Sequence, residues 1–300
     1  MVAGMTFGLG LPGSQARLVT RPGGASAAEV RLALGELAAE GAAVIVAGID
    51  AERSGEAVRY ARANSLPVML LTPDASGTHR AEPVVFLVGE EPVATVGVLS
   101  GALREAGAKV VAGLGTPLRA GQAEDGRLGI GLQHPCSPLP AAAELRAELV
   151  SALLVYDGAY CNRDIWALAE SLRVPVGIGL GASSVGKPAA TAQLLSAGVF
   201  PVDPDRPDRR LSAWLGSQRG VPSWWTALGR DAAVLAWSAV QDLEEAATED
   251  LEVKARRVEA TSALAAARAS LWTSETLGFG SDRRIHRTVE VLSGAQRGEP

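Results

Sequence analysis

AVIVAGIDAERSGEAVRYARANSLPVMLLTPDAS, residues Ala43–Ser76, decides the fold class. Its two apolar runs, Ala43–Ala47 and Pro67–Leu71, lack polar–apolar alternation, so each reads as a strand buried on both faces. Between them, Glu52–Ala63 reads as an amphipathic helix. Continuous apolar strands joined through a helix belong to a parallel sheet covered on both sides.

The same alternation extends in both directions. Upstream, Ala16–Thr20 reads as a strand, and Ser26 caps a helix running to about Glu40. Downstream, strands are expected at Val84–Val88, Val110–Leu114, Arg127–Leu132, Ala152–Tyr156 and Val174–Leu180. Helices are expected at Pro92–Ala106, Ala141–Leu149 and Asp164–Leu172. The last third differs, with long helical stretches at Trp224–Ala247 and Leu251–Ala269. After these come Leu271–Thr273, a glycine-rich turn at Gly278–Gly280 and an amphipathic segment, Arg284–Leu292. Two stretches, Gly115–Gly126 and Asp203–Arg210, read as polar loops. The class is α/β.

Composition bounds the function. Three hundred residues suit two domains rather than one small core. Aromatic residues are only 4% of the chain, so Ala, Val and Leu must build the interior. A net charge of −5 argues against a nucleic-acid surface. Two cysteines, Cys136 and Cys161, make neither a disulfide framework nor a metal cluster; one bridge or two thiols remain open. No window holds about 18 uninterrupted apolar residues, the length a membrane helix needs.

In their order, these segments resemble the leucine/isoleucine/valine-binding branch of the type I periplasmic binding proteins. Ala43–Ser76 is similar to that family's strand, serine-bearing turn, helix, strand and small-residue loop. VVFLVGEEPVATVGVLSGALREAGAKVVAGL (Val84–Leu114) resembles its crossover strand, helix and the strand opening the second lobe. ALLVYDGAYCNRDIWALAESLRVPVGIGLGAS, ALGRDAAVLAWSAV (Ala227–Val240) and the closing LGFGSDRRIHRTVEVLSG match later family segments. The resemblance implies a two-lobed fold, each lobe a parallel sheet covered by helices, with N-terminal and second-lobe elements shortened. It places residues 1–106 plus 221–270 in lobe 1 and 107–220 plus 271–300 in lobe 2.

By position in the resemblance, Ser54, Asp74 and Ser76 of the first lobe and Tyr160, Ala182 and Ser183 of the second would meet a ligand. The implied function is non-catalytic: a periplasmic solute-binding or sensor domain that closes over a small ligand between its lobes, as in ABC transporters. An amino acid or carboxylate would be the ligand and a membrane permease the partner; no cofactor, metal or nucleic acid is implied. One departure bears on this. Amino-acid binders of the family carry an acidic residue in the turn where this chain has Gly179–Ser183 (GLGAS). The alternative is a protein-interaction module like the penicillin-binding protein activators, with a cell-wall synthase as partner. The resemblance implies a periplasmic or outer-membrane-anchored lipoprotein whose export signal is missing from this chain; a cytoplasmic location stays open.

Other motifs carry less. Gly181–Lys187 followed by Pro188 matches GxxxxGK, but a phosphate loop needs Ser or Thr after the lysine to hold magnesium. It supports only a third reading, a nucleotide-binding enzyme. Gly8–Gly13 matches GxGxxG literally, yet the required strand and helix are not expected around it, and a flexible N-terminal stretch is the preferred reading. His79, His134 and His286 have no ligand spacing and are expected on the surface or in loops. Asp157 and Asp164, which flank Tyr160, read as a strand-end loop residue and a helix N-terminal acid. Trp224 and Trp225 read as packing the start of a helix onto the sheet, with a partner anchor as the other use.

Overall fold

The computed structural model describes residues 1–24, 26–115, 129–136, 138–156, 164–182, 193–199, 213–216, 223–246 and 253–293. The chain packs as two compact units: Met1–Glu90 with Phe200–Arg287, and Glu91–Val199 with Thr288–Pro300.

The first unit is built on three parallel strands in the order β1 (Ile45–Ala47), β2 (Val68–Leu70), β3 (Val85–Leu87). Helices α1 (Val2–Gly8), α2 (Ala27–Ala39) and α3 (Ala51–Asn64) precede or connect them. Both caps follow from sequence. Ser26 accepts from the Glu29 N–H while Glu29 reaches back to the Ser26 N–H, a capping box that satisfies two orphan donors. Asp50 accepts from the Arg53 N–H at 2.8 Å at the start of α3. Val30 and Leu34 of α2 and Ala57, Val58 and Ala61 of α3 pack on Ile45, Val68, Leu70, Val85 and Leu87. The opposite face presents Met69 and Phe86, both fully buried, with Phe86 tilted against Phe279 at 5.0 Å.

The second unit holds six strands in the order β5-β4-β6-β7-β8-β9: β4 (Val111–Leu114), β5 (Leu132–His134), β6 (Ala152–Val155), β7 (Val176–Ile178), β8 (Leu194–Val199) and β9 (Val289–Ser293). All pairs are parallel except β8–β9. Helix α4 (Pro92–Glu105), started by a proline at its first turn, lays Leu99 and Leu103 over Gly177. Helices α5 (Ala142–Ala147) and α6 (Ile165–Leu172) cover the other face, where Leu145, Ile165 and Leu168 meet Leu153, Val155, Val176 and Ile178. Each such fully buried side chain contributes about 1.5–3 kcal/mol through lost water contact.

Helices α7 (Trp224–Ala246) and α8 (Val253–Ala266) return to the first unit. The unit boundaries differ from the sequence expectation in three places, one of which, residues 200–220, falls largely outside the described residues. Helix α4 belongs with the second unit because its apolar face covers that unit's sheet. Leu271–Arg287 belongs with the first, because Asp231 of α7 accepts from the Trp272 and Thr273 N–H groups.

Four element expectations need correction, the first being the strand expected at Arg127–Leu132, which lies instead at Leu132–His134, with residues 127 and 128 outside those described. Ala16–Thr20 is not a strand: it makes no ladder, although Ala16 and Leu18 pack beside Val46. The stretch Val2–Gly8 is a helix rather than a flexible tail. It docks on α7 because two glycines let the backbones touch; a Cβ on Gly4 would lie 1.9 Å from the Thr226 carbonyl oxygen. Gly8–Gly13 thus follows a helix, the reverse of a dinucleotide turn. Finally, β8 was not anticipated. Its small residues Ser196, Ala197 and Gly198 blur the strand signal.

Candidate functional site

In open parallel sheets, loops at the carboxyl ends of strands supply binding groups. In the first unit the turn after β1 is Gly48–Asp50 and the loop after β2 is Leu71–Gly77. Gly48 has φ +74°, and a Cβ there would sit 2.2 Å from the Ser54 hydroxyl oxygen, so only glycine fits. Ser54, in the first turn of α3, is fully buried and donates its hydroxyl to the Thr72 carbonyl at 2.6 Å. It ties the turn after β1 to the loop after β2.

Asp74 organises that loop. Its carboxylate accepts from the Thr78 N–H at 3.1 Å, the His79 N–H at 2.9 Å, the Ser76 hydroxyl and His79 Nδ1. Burial pushes this carboxyl up. The hydrogen bonds from His79, Ser76 and Thr78 outweigh that and hold it well below the ordinary value of 3.8. Ser76 is exposed, with its hydroxyl proton on Asp74 and Thr78 Oγ1 in contact. The result is an exposed serine tied through its hydroxyl to a buried carboxylate.

The structure therefore brings Ser54, Asp74 and Ser76 to one loop cluster but in different roles. Ser54 and Asp74 are spent on holding the loop, and Ser76 alone of the three is exposed. In the second unit Ala182 ends a 3-10 turn, Leu180–Ala182, and is buried in the apolar cluster beneath β7. Tyr160, Ser183, Asp157 and Lys187 lie outside the described residues. Asp164 stands at the N-cap of α6.

His79 corrects the expectation for histidines: it is buried at 4% exposure, drawn inward by Asp74. His134 Nε2 lies 3.0 Å from Glu148, and His286 Nε2 lies 3.1 Å from Asp282. Among the described residues, no group of three or more His, Cys, Asp or Glu could hold a metal ion. Cys136 is disulfide-bonded; the chain's other cysteine, Cys161, lies outside the described residues.

No protein-family model matches the sequence, and no curated protein matches it. Solved structures do. The chain is similar, over 96% of its length and 87% of the other's, to an ABC transporter solute-binding protein from R. palustris in complex with benzoate (TM-score 0.72, 15% identity). It is likewise similar to the branched-chain amino acid transporter substrate-binding protein LivJ from Streptococcus pneumoniae in complex with isoleucine (TM-score 0.71, 14% identity, 97% and 89% covered). The leucine-binding protein LivK from Thermotoga maritima gives TM-score 0.70, 15% identity and coverage of 97% and 89%. The fold is that of the type I periplasmic binding proteins.

Sequence reasoning missed Asp231, Thr273 and Arg287. The signal was present: a fully buried acid inside an apolar helix, in ALGRDAA, requires internal partners. No helix among the described residues is long and apolar enough to cross a membrane.

Proposed function

We propose that this protein is a solute-binding protein of the ABC-transporter type, which captures a small ligand without chemical change and presents it to a membrane permease. The likeness to solute-binding proteins along 96–97% of the chain carries this reading. The loop after β2 supports it, since a loop pre-formed around Asp74, with an exposed serine, loses little freedom on binding. We infer that Ser76 is the first unit's ligand-facing side chain, with Ser54 and Asp74 holding it in place. Tyr160, Ala182 and Ser183 are the second unit's proposed contributions, Ala182 through its backbone. The ligand class is a small carboxylate or amino acid, as the benzoate and isoleucine of those solved structures suggest. A disulfide at Cys136 fits an oxidising compartment outside the cytoplasm.

A thermal-shift screen with benzoate, leucine, isoleucine and short carboxylates tests the reading. A ligand at 100 times its Kd stabilises the folded state by about 2.7 kcal/mol, enough to raise Tm by several degrees. Ser76→Ala should lower the ligand-free Tm slightly, through the lost bond to Asp74, and should weaken the ligand response beyond that fall. A flat response to the whole panel overturns the solute-binding reading. It would favour the protein-interaction module, to which the inward commitment of Ser54 and Asp74 already lends weight.

A further inference from the structure

The chain leaves the first unit between Glu90 and Glu91 and again between Arg287 and Thr288. Arg287 joins these two exits. Its guanidinium donates to the Val88 carbonyl, to the Gly89 carbonyl at 3.1 Å and to the Ile285 carbonyl at 3.3 Å. It also donates to Thr273 Oγ1 at 3.0 and 3.3 Å and lies over the Trp224 ring at 5.3 Å. Thr273 Oγ1 in turn donates to Asp231 at 2.8 Å, and Asp231 is fully buried in α7. The two exits also exchange backbone bonds, from the Leu87 N–H to the Arg283 carbonyl and from the Ile285 N–H to the Leu87 carbonyl. Burial pushes Arg287 down to about 10, against the pull of Asp231 and Glu90, so it is charged at neutral pH.

A planar cation with five donors can serve several carbonyls at once, which a lysine cannot. We propose that Arg287 is a positioning residue that locks both exits to α7, so that Leu87–Gly89, Ile285–Arg287 and Thr273 are held as one body with that helix. The proposal rests on the division into two units and not on the identity of a ligand.

Hydrogen exchange on the full ligand-free chain tests it. In Arg287→Met, the amides of Leu87–Gly89 and Ile285 should exchange roughly tenfold or more faster, while those of β1, β2 and α3 keep wild-type protection. Arg287→Lys keeps the charge but loses the fan of donors, so it should show the same local pattern at smaller amplitude. If Arg287→Met does not fold, the lysine variant decides alone. Unchanged protection at both exits overturns the proposal. So does an equal acceleration across the whole first unit, which would mark Arg287 as ordinary core.

Discussion

Asp74 is where a single residue most clearly couples sequence to site. Its carboxylate sits below its ordinary value in the folded protein, so its stabilising contribution is complete above that value. The contribution is lost as the pH falls below about 4, toward the depressed folded value. Asp74→Asn should therefore lower Tm at pH 7 and flatten the decline of Tm between pH 5 and the acid limit, measured by thermal melts across pH. A second residue carries a different lesson. Leu149 closes α5 in a Schellman motif, with its N–H on the Arg146 carbonyl and the Val150 N–H on the Leu145 carbonyl. It has φ +58° and is 77% exposed, a position at which glycine is usual. Relief of left-handed strain outweighs the entropy glycine adds to the unfolded chain, so Leu149→Gly should stabilise by about 0.5–1 kcal/mol. Urea unfolding of the two proteins side by side measures it; an unchanged or lower midpoint contradicts the argument.

At the scale of elements, the helix α1 is the instructive case. It has seven residues, too few to be helical alone, and it persists because its glycines lie against the backbone of α7. Phe7 then reaches Trp214 and Trp272, with ring centroids 5.9 and 5.7 Å away, and Arg230 stacks over Trp272 at 4.7 Å. Gly4→Val should undock α1 because the added side chain would overlap the Thr226 carbonyl. Tryptophan fluorescence should shift to the red, and trypsin should cut at Arg17 at least several times faster. Unaltered fluorescence and cleavage would mean that α1 is held by something other than this close approach. The strands pose the opposite problem, since β2 and β3 are so apolar that packing leaves them no alternative conformation.

At the scale of the molecule, the two units have separate cores: one built around β1–β3, the other around the six-stranded sheet. Each interrupts the other in sequence, and the lobe boundaries implied by the resemblance differ from the units at α4 and at Leu271–Arg287. Separate cores predict that calorimetric unfolding is not a single cooperative step. The calorimetric enthalpy should exceed the van 't Hoff enthalpy, whereas a ratio of one would show that the units unfold together.

What the amino-acid sequence determined unaided is the parallel α/β plan: apolar runs such as Val68–Leu70 and Ala152–Val155 admit little else, and Ser26 and Asp50 mark their helices by cap chemistry alone. The family resemblance, rather than the residue pattern, pointed to Ser54 at the start of α3 and to Asp74 and Ser76 in the loop after β2. Only the tertiary structure decided which of these face inward. A serine or aspartate reads the same in sequence whether its partner is a ligand or the carbonyl of Thr72 or the N–H of His79. The same holds for Asp231 and Arg287, whose partners lie some 40 and 200 residues away along the chain. Periodicity reports how a residue faces its own helix or strand; hydrogen bonds between distant segments exist only once the chain has brought them together.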